Sequence, residues 1–355
     1  MNKTMKRYGW SYLVTATMLF SAPAFVGCNG NDPDPQSPGT GTTPPGSTTT
    51  PPGTGTVTNP PGSTTSTPGN STVVPGTDYI KNAGNLTFLS AAISRAGLEQ
   101  DLRSGSLTIF APSDDAFKAA GYASAAAVSA APAADLKRIL QYHVLGSQID
   151  QAAFPTAVNT SYQTTLSDGR LSVYKTSDNV ISVNNAKVVQ VNIAATNGVI
   201  HIIDKVLMPP TVTVLDFAKG NADLSFFAAA VERAGTTVQN SLAANAQNGI
   251  TVFAPTNAAF KAAGYADEAA VRAANAQTLA NLLTYHVLNY RAFSSTFQNG
   301  ADLVTAQGSS IRTNVSGGKV TILGKGNGTN VANVTTADQV TTNGVVHTID
   351  RVLMP

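Results

Sequence analysis

Apolar positions early in the folding part of the chain recur at helical spacing. Leu86, Leu89, Ile93 and Ala96 fall on one face, and Gly97 stands where a helix can end in a left-handed residue. "LTIFAP", Leu107 to Pro112, is a short apolar run stopped by proline, which predicts a strand. Ser113 or Asp114 can then cap a short helix over "AFKAAG", closed by Gly121. Further on, Leu136, Ile139, Leu140, His143 and Val144 share one face of a predicted helix, with Tyr142 rotated about 100° toward its rim. Beyond this helix the pattern changes. The chain becomes rich in Val, Ile and Thr, with turn signals at Ser167-Asp168-Gly169 and Ser177-Asp178-Asn179, which predicts strands. The stretch closes on "NGVIHIIDKVLMP", Asn197 to Pro209, where Asn197-Gly198 fits a tight turn needing positive φ.

The same pattern then returns. "LTIFAPSDDAFKAAGYA" (Leu107 to Ala123) is matched by "ITVFAPTNAAFKAAGYA" (Ile250 to Ala266), "LQYHVLG" by "LTYHVLN", and the closing stretch by "NGVVHTIDRVLMP" (Asn343 to Pro355). The offset is 143 residues for Phe110/Phe253 and His143/His286, and 146 for His201/His347, so a short insertion separates the copies late in the unit. A period this long means tandem domains, placed at 78–209 and 210–355. Helices first and strands later make each an α+β unit. Pro209-Pro210 makes the link between them short and stiff.

Residues 1–77 read differently. Lys3, Lys6 and Arg7 precede an apolar run from Tyr12 to Val26, broken by Pro23, which predicts an export leader over residues 1–27. The single cysteine of the chain, Cys28, follows Gly27. This stretch resembles a bacterial lipoprotein signal, with Phe25 where such signals usually carry Leu. The resemblance implies a lipid on Cys28 that attaches the protein to a membrane, and Asn29 after it favours the outer membrane. Residues 28–77 are dominated by Thr, Pro, Gly and Ser, too poor in apolar side chains to offset ordering entropy, and are expected to form a disordered linker. Fully extended, it reaches at most ~150 Å, and as a coil about 40 Å. Charged residues are 12% of the chain, against about 25% in average domains. Of 22 bases, three lie in the predicted leader, leaving 19 against 20 acids. A body this neutral lacks the basic stripe that phosphate neutralisation requires, which excludes nucleic acid as a partner.

Three blocks, "FAP[ST]xxAF", a central "YH" and a closing "NGVxHxIDxVLMP", occur twice and in order. Together they resemble the fasciclin domain. The resemblance implies two wedge-shaped β-sandwiches of about seven strands with packed helices. It also implies adhesion or ligand recognition at a cell surface, without catalysis. In animal matrix members the Tyr-His segment is implicated in integrin binding, so Tyr142, His143, Tyr285 and His286 become candidate ligand-binding residues by resemblance. The spacing itself supports a plainer alternative, a packed histidine beside a half-buried tyrosine.

His201 and His347 are expected to be structural. In an extended strand His201 and Asp204 point to opposite faces, as do His347 and Asp350, so neither pair makes a metal site or a His-Asp relay. No cofactor or metal is expected. GxSxG, HExxH and P-loop motifs are absent from the sequence. Asp114 of the first copy is Asn257 in the second, an exchange that a general base could not accept but a cap or hydrogen-bond acceptor could. Asp114 and Asn257 are therefore also expected to be structural, with each closing histidine bonded to backbone or to their region. The function expected is an envelope-anchored adhesion or recognition protein, with an unknown protein or polysaccharide ligand at the cell surface. Two rivals are a periplasmic structural or sensory protein that binds an envelope protein, and an envelope glycan-acting enzyme. The enzyme is disfavoured because acidic pairs do not recur, Asp115 being Ala258 in the second copy.

Overall fold

The computed structural model describes residues 73–243 and 248–355. The predicted leader, Cys28 and the predicted linker up to residue 72 lie outside the described residues. The first domain opens with α1 (Gly76–Asn82) and α2 (Thr87–Ala96). Gly76 and Thr77, expected in the linker, are instead buried in α1. The Gly76 amide donates to Asn197 Oδ1 at 3.0 Å, and the Thr196 amide to the Val74 carbonyl, so the entering chain is fastened to the closing block.

Strand β1 (Leu107–Pro112) leads to α3 (Asp114–Ala119), α4 (Ala125–Ala130) and α5 (Ala133–Tyr142). Six strands follow: β2 (Val144–Leu145), β3 (Thr160–Gln163), β4 (Arg170–Lys175), β5 (Ile181–Val183), β6 (Ala186–Ala195) and β7 (Gly198–Ile203). The sheet order is β2-β1-β7-β6-β5-β4-β3. Only the β1–β7 pair among these is parallel, and it sets Phe110 opposite His201. Register shifts along β6 between Val188 and Ile193 bend the sheet. A bridge between Leu145 and Thr164 brings its two ends together, so the seven strands curl into a barrel-like layer with the helices packed beside it.

The second domain repeats this with α6 (Val214–Gly220), α7 (Ser225–Ala234) and α8 (Thr236–Ala243) before β8 (Ile250–Pro255). Helices α9 (Asn257–Ala262), α10 (Glu268–Ala273) and α11 (Ala276–Tyr285) come next. Then come β9 (Val287–Leu288), β10 (Asp302–Val304), β11 (Ser310–Ser316), β12 (Lys319–Leu323), β13 (Ala332–Val340) and β14 (Gly344–Ile349). The order is β10-β11-β12-β13-β14-β8-β9.

Each domain has two apolar clusters. In the first, one cluster gathers Leu89, Ile93, Phe117, Leu136, Leu140 and Ile200 on the helix side. The other gathers Phe110, Tyr142, Leu145, Phe154, Leu171 and Ile203 inside the curled sheet. Strands β1 and β7 run between the two, so all their residues are buried rather than every second one. This double burial corrects the predicted helix as well. α5 stops at Tyr142, His143 is its C-cap, and Val144 and Leu145 already belong to β2. Tyr142 is therefore not at a rim; it fills the sheet-side cluster with no exposed surface.

The glycines of the closing block have a steric reason. Gly198 has φ +140°, and a Cβ there would stand 1.9 Å from the Leu107 carbonyl oxygen. At Gly344 a Cβ would stand 2.5 Å from the Ile250 carbonyl oxygen, with no positive φ required. The expected tight turn is present in the first copy, where Thr196 and Asn197 join β6 to β7 and Gly198 has a positive φ; the second copy lacks that positive φ. What both copies share, and what explains the kept glycine, is close approach of the parallel neighbour.

Candidate functional site

The central Tyr-His pair comes to lie between the two clusters of each domain. His143 Nδ1 lies 2.8 Å from the Ile139 carbonyl, and its Nε2 accepts the Leu207 amide at 2.9 Å. Since an amide can only donate, Nδ1 carries the proton and the ring is neutral. His286 repeats this with Leu282 and Leu353, at 2.8 and 2.9 Å. Burial pushes both imidazoles from 6.5 down to about 4. Each histidine thus ties the end of its helix to the "VLMP" segment. The tyrosine hydroxyls are engaged too. Tyr142 donates to the Arg170 carbonyl and accepts from Asn184 Nδ2, both at 2.9 Å. Tyr285 donates to the Ser310 carbonyl and accepts from the Lys325 amide, both at 2.8 Å. Tyr142, His143, Tyr285 and His286 are at most 1% exposed. The ligand-binding assignment carried by resemblance is corrected here: these four side chains present no surface for a ligand to touch.

The closing histidines are buried against aromatic rings. His201 stacks on Phe110, with centroids 5.7 Å apart, and His347 on Phe253 at 5.6 Å. His201 Nε2 lies 3.0 Å from the Ile149 carbonyl, and Nδ1 accepts the Asn192 amide at 3.3 Å. His347 does the same with Ala292 and Asp338, at 2.9 and 3.3 Å. Burial lowers both pKa values, and both rings are neutral. Their bonds go to backbone and not to the Asp114/Asn257 region.

Asp114 and Asn257 do a different job. Ser113 and Thr256 cap α3 and α9 by accepting from Ala116 and Ala259, each at 3.2 Å. That leaves the next side chain free to cap a neighbouring helix. Asp114 Oδ1 accepts the Phe88 amide and Asn257 Oδ1 the Phe226 amide, each at 2.9 Å, at the starts of α2 and α7. The residues before those helices, Leu86 and Leu224, have no capping side chain. Both Asp and Asn supply the required oxygen, which explains the exchange between copies.

One residue escaped the sequence reading. Arg291 is 2% exposed and bends over Gly249, where a Cβ would stand 2.5 Å from its Nε. Its guanidinium donates to the Thr342 carbonyl at 2.7 Å and, across to the first domain, to the Arg170 carbonyl at 3.2 Å. It lies beside the Tyr142 hydroxyl. Burial lowers its pKa, though an arginine keeps its charge. The matching position of the first copy is the exposed Gln148. That difference between copies is the signal that could have found it. A second tie joins Asn185 Nδ2 to Asp338 Oδ2 at 2.5 Å, and a third runs from Arg138 to the Pro210 carbonyl. Residues 73–355 belong to one compact unit.

Where the domains meet, they enclose a groove of about 440 Å³. Its wall on the first domain includes Asn159 and Tyr174; Asn248, Tyr290, Phe297 and Gln298 come from the second. None of the described residues lining it is Asp, Glu, Lys, Arg or His. Among the described residues, no three His, Cys, Asp or Glu side chains come together as a metal site, and no helix is long and apolar enough to cross a membrane.

Comparison with known proteins agrees with this architecture. The fasciclin domain profile matches residues 84–209 and 222–355. Human periostin is 35% identical over 177 residues, which is 50% of this chain and 20% of periostin. The pig transforming growth factor-beta-induced protein ig-h3 is 27% identical over 253 residues, 71% of this chain and 35% of that protein. Protein sll1483 of Synechocystis is 36% identical over 132 residues, covering 36% of this chain and 71% of the relative. The chain thus spans about a fifth to a third of the length of the two animal proteins. With both halves of its folded region matched and each built as a seven-stranded curled sheet flanked by helices, the chain belongs to the fasciclin domain family.

Proposed function

We propose that this protein is an adhesion or ligand-recognition protein of a bacterial cell envelope. A lipid on Cys28 holds it to the membrane, and residues 28–72 carry two fasciclin domains away from it to meet a protein or polysaccharide partner. The observation that carries this reading is the pair of complete fasciclin domains held together by specific bonds. Two features support a binding rather than a chemical role. The four histidines use both ring nitrogens in structural bonds. The acid at position 114 is replaced by an amide in the second copy. Recognition then falls to surfaces rather than to the repeated motifs, which are spent inside each domain.

The test uses the full chain in its own cells. External protease applied to intact cells should remove the protein, and deleting its gene should reduce cell–cell or cell–matrix cohesion. A protein shielded from protease until the outer envelope is breached would overturn surface adhesion in favour of a periplasmic partner.

A further inference from the structure

We infer that the groove between the two domains is a binding site for an uncharged saccharide, a reading that rests on the recognition role above and gives it a place and a ligand class. Size comes first. About 440 Å³ lies within the range of small-ligand sites, roughly 300–1,000 Å³. Charge comes second. The lining described here carries no acid, base or histidine, so it offers nothing to neutralise a sulfate, uronate or phosphate and nothing to draw a charged peptide.

The chemistry of the wall is the third argument. Tyr290 supplies apolar ring surface, together with the edges of the largely buried Tyr174 and Phe297, while Asn159, Asn248 and Gln298 supply amides. A sugar presents C–H faces that pack on rings and hydroxyls that both donate and accept. An amide side chain answers both roles with one group. These amides are also available. Asn159 Oδ1 is shielded from solvent and has no partner, so swinging it toward a hydroxyl breaks no bond. Gln298 Nε2 reaches the Tyr174 hydroxyl of the other domain at 3.4 Å, a long bond that is readily exchanged.

The fourth argument is strain at the wall. Six described residues other than glycine have positive φ, and five are Asn or Asp, which tolerate it. The sixth is Ala157, at φ 59°, on the groove wall. Its amide donates to the Lys175 carbonyl at 2.7 Å, holding this stretch against β4. Left-handed alanine is costly and collects where a surface is shaped for a purpose.

The purified full chain would be titrated with short neutral oligosaccharides of glucose, mannose, galactose and N-acetylglucosamine, followed by saturation-transfer NMR. Oligogalacturonate serves as the charged control. At least one neutral series should bind saturably, and oligogalacturonate should not compete. Gln298→Ala and Asn159→Ala should each weaken binding about five- to tenfold at unchanged melting temperature. Absence of binding by every neutral series, equal binding by oligogalacturonate, or variants that bind like the parent would overturn the inference. Groove variants that bind no sugar differently yet leave cell cohesion intact would remove this site alone. Protease shielding on intact cells would instead remove surface adhesion, whatever the sugars do.

Discussion

Asn192 and Asp338 occupy the same bulge in the two domains, with φ of 56° and 62°, and each donates its amide to a closing histidine. Their side chains then part company. Asn192 Oδ1 accepts the Gln151 amide within its own domain. Asp338 accepts the corresponding Ser294 amide and also takes Asn185 from the other domain. The same division separates Gln148, exposed, from Arg291, buried across the junction. It also separates the Asn184-Asn185 turn between β5 and β6 from the longer chain between β12 and β13. There Lys325 replaces Asn184 on the tyrosine hydroxyl, and Gly326 bonds to Met354. Residues common to both copies hold each domain together. The ties between the domains made by Arg291 and Asp338 stand at positions where the copies differ.

The sharpest way to break this comparison is through a shared position. Gly198→Ala forces a methyl group into the Leu107 carbonyl, and should cost at least ~4 kcal/mol or prevent folding of the first domain. Chemical denaturation followed by circular dichroism would measure it. A cost under 1 kcal/mol would mean that β1 and β7 separate easily, contrary to the register described.

Next come the central histidines. His143→Ala and His286→Ala each remove a buried ring and strand a backbone amide, and should cost about 3 kcal/mol apiece, equally in the two domains. The pH dependence carries the sign. Each ring has a folded-state pKa of about 4 against 6.5, so the unfolded chain takes up the proton first as pH falls. Stability is complete above about pH 6.5 and is lost toward pH 4, by up to ~3 kcal/mol per histidine. Denaturant titrations across that window should show the slope in the parent and a shallower one in either variant. An unchanged slope would mean that these rings do not carry it.

A divergent position should behave differently. Arg291→Met removes the bond to the Arg170 carbonyl and should uncouple the domains, at a cost of about 2 kcal/mol to the second domain. Calorimetry should split one transition into two, while Gln148→Ala should change nothing. A single transition in the arginine variant would move the coupling elsewhere. The smallest effect is expected at Asp114→Asn, under ~0.5 kcal/mol, because the amide oxygen can keep the Phe88 bond. Asp114→Ala should cost ~1 kcal/mol by the same denaturation measurement, and equal costs for the two changes would show that charge rather than hydrogen bonding matters there.

Much of each domain could be read directly from residue order. The caps at Ser113 and Thr256, the buried β1 and β8, the turn to β-rich sequence after the Tyr-His pair and the duplication itself all rest on neighbours a few residues apart. Local periodicity records such relations because propensity and capping act over one or two turns. It could not tell that α5 stops at Tyr142, since a helix lying between two apolar clusters has no single inward face. Nor could it find that His143 bonds to Leu207, 64 positions away, or that Arg291 crosses to another domain. Those partners are chosen by how the closed sheet and the helices pack. A buried polar atom must take whichever donor or acceptor the packing brings within reach. The sequence by itself therefore determined the elements, their order and the family. The tertiary structure alone decided which of the repeated polar residues were consumed inside the domains and where a shared groove was left between them.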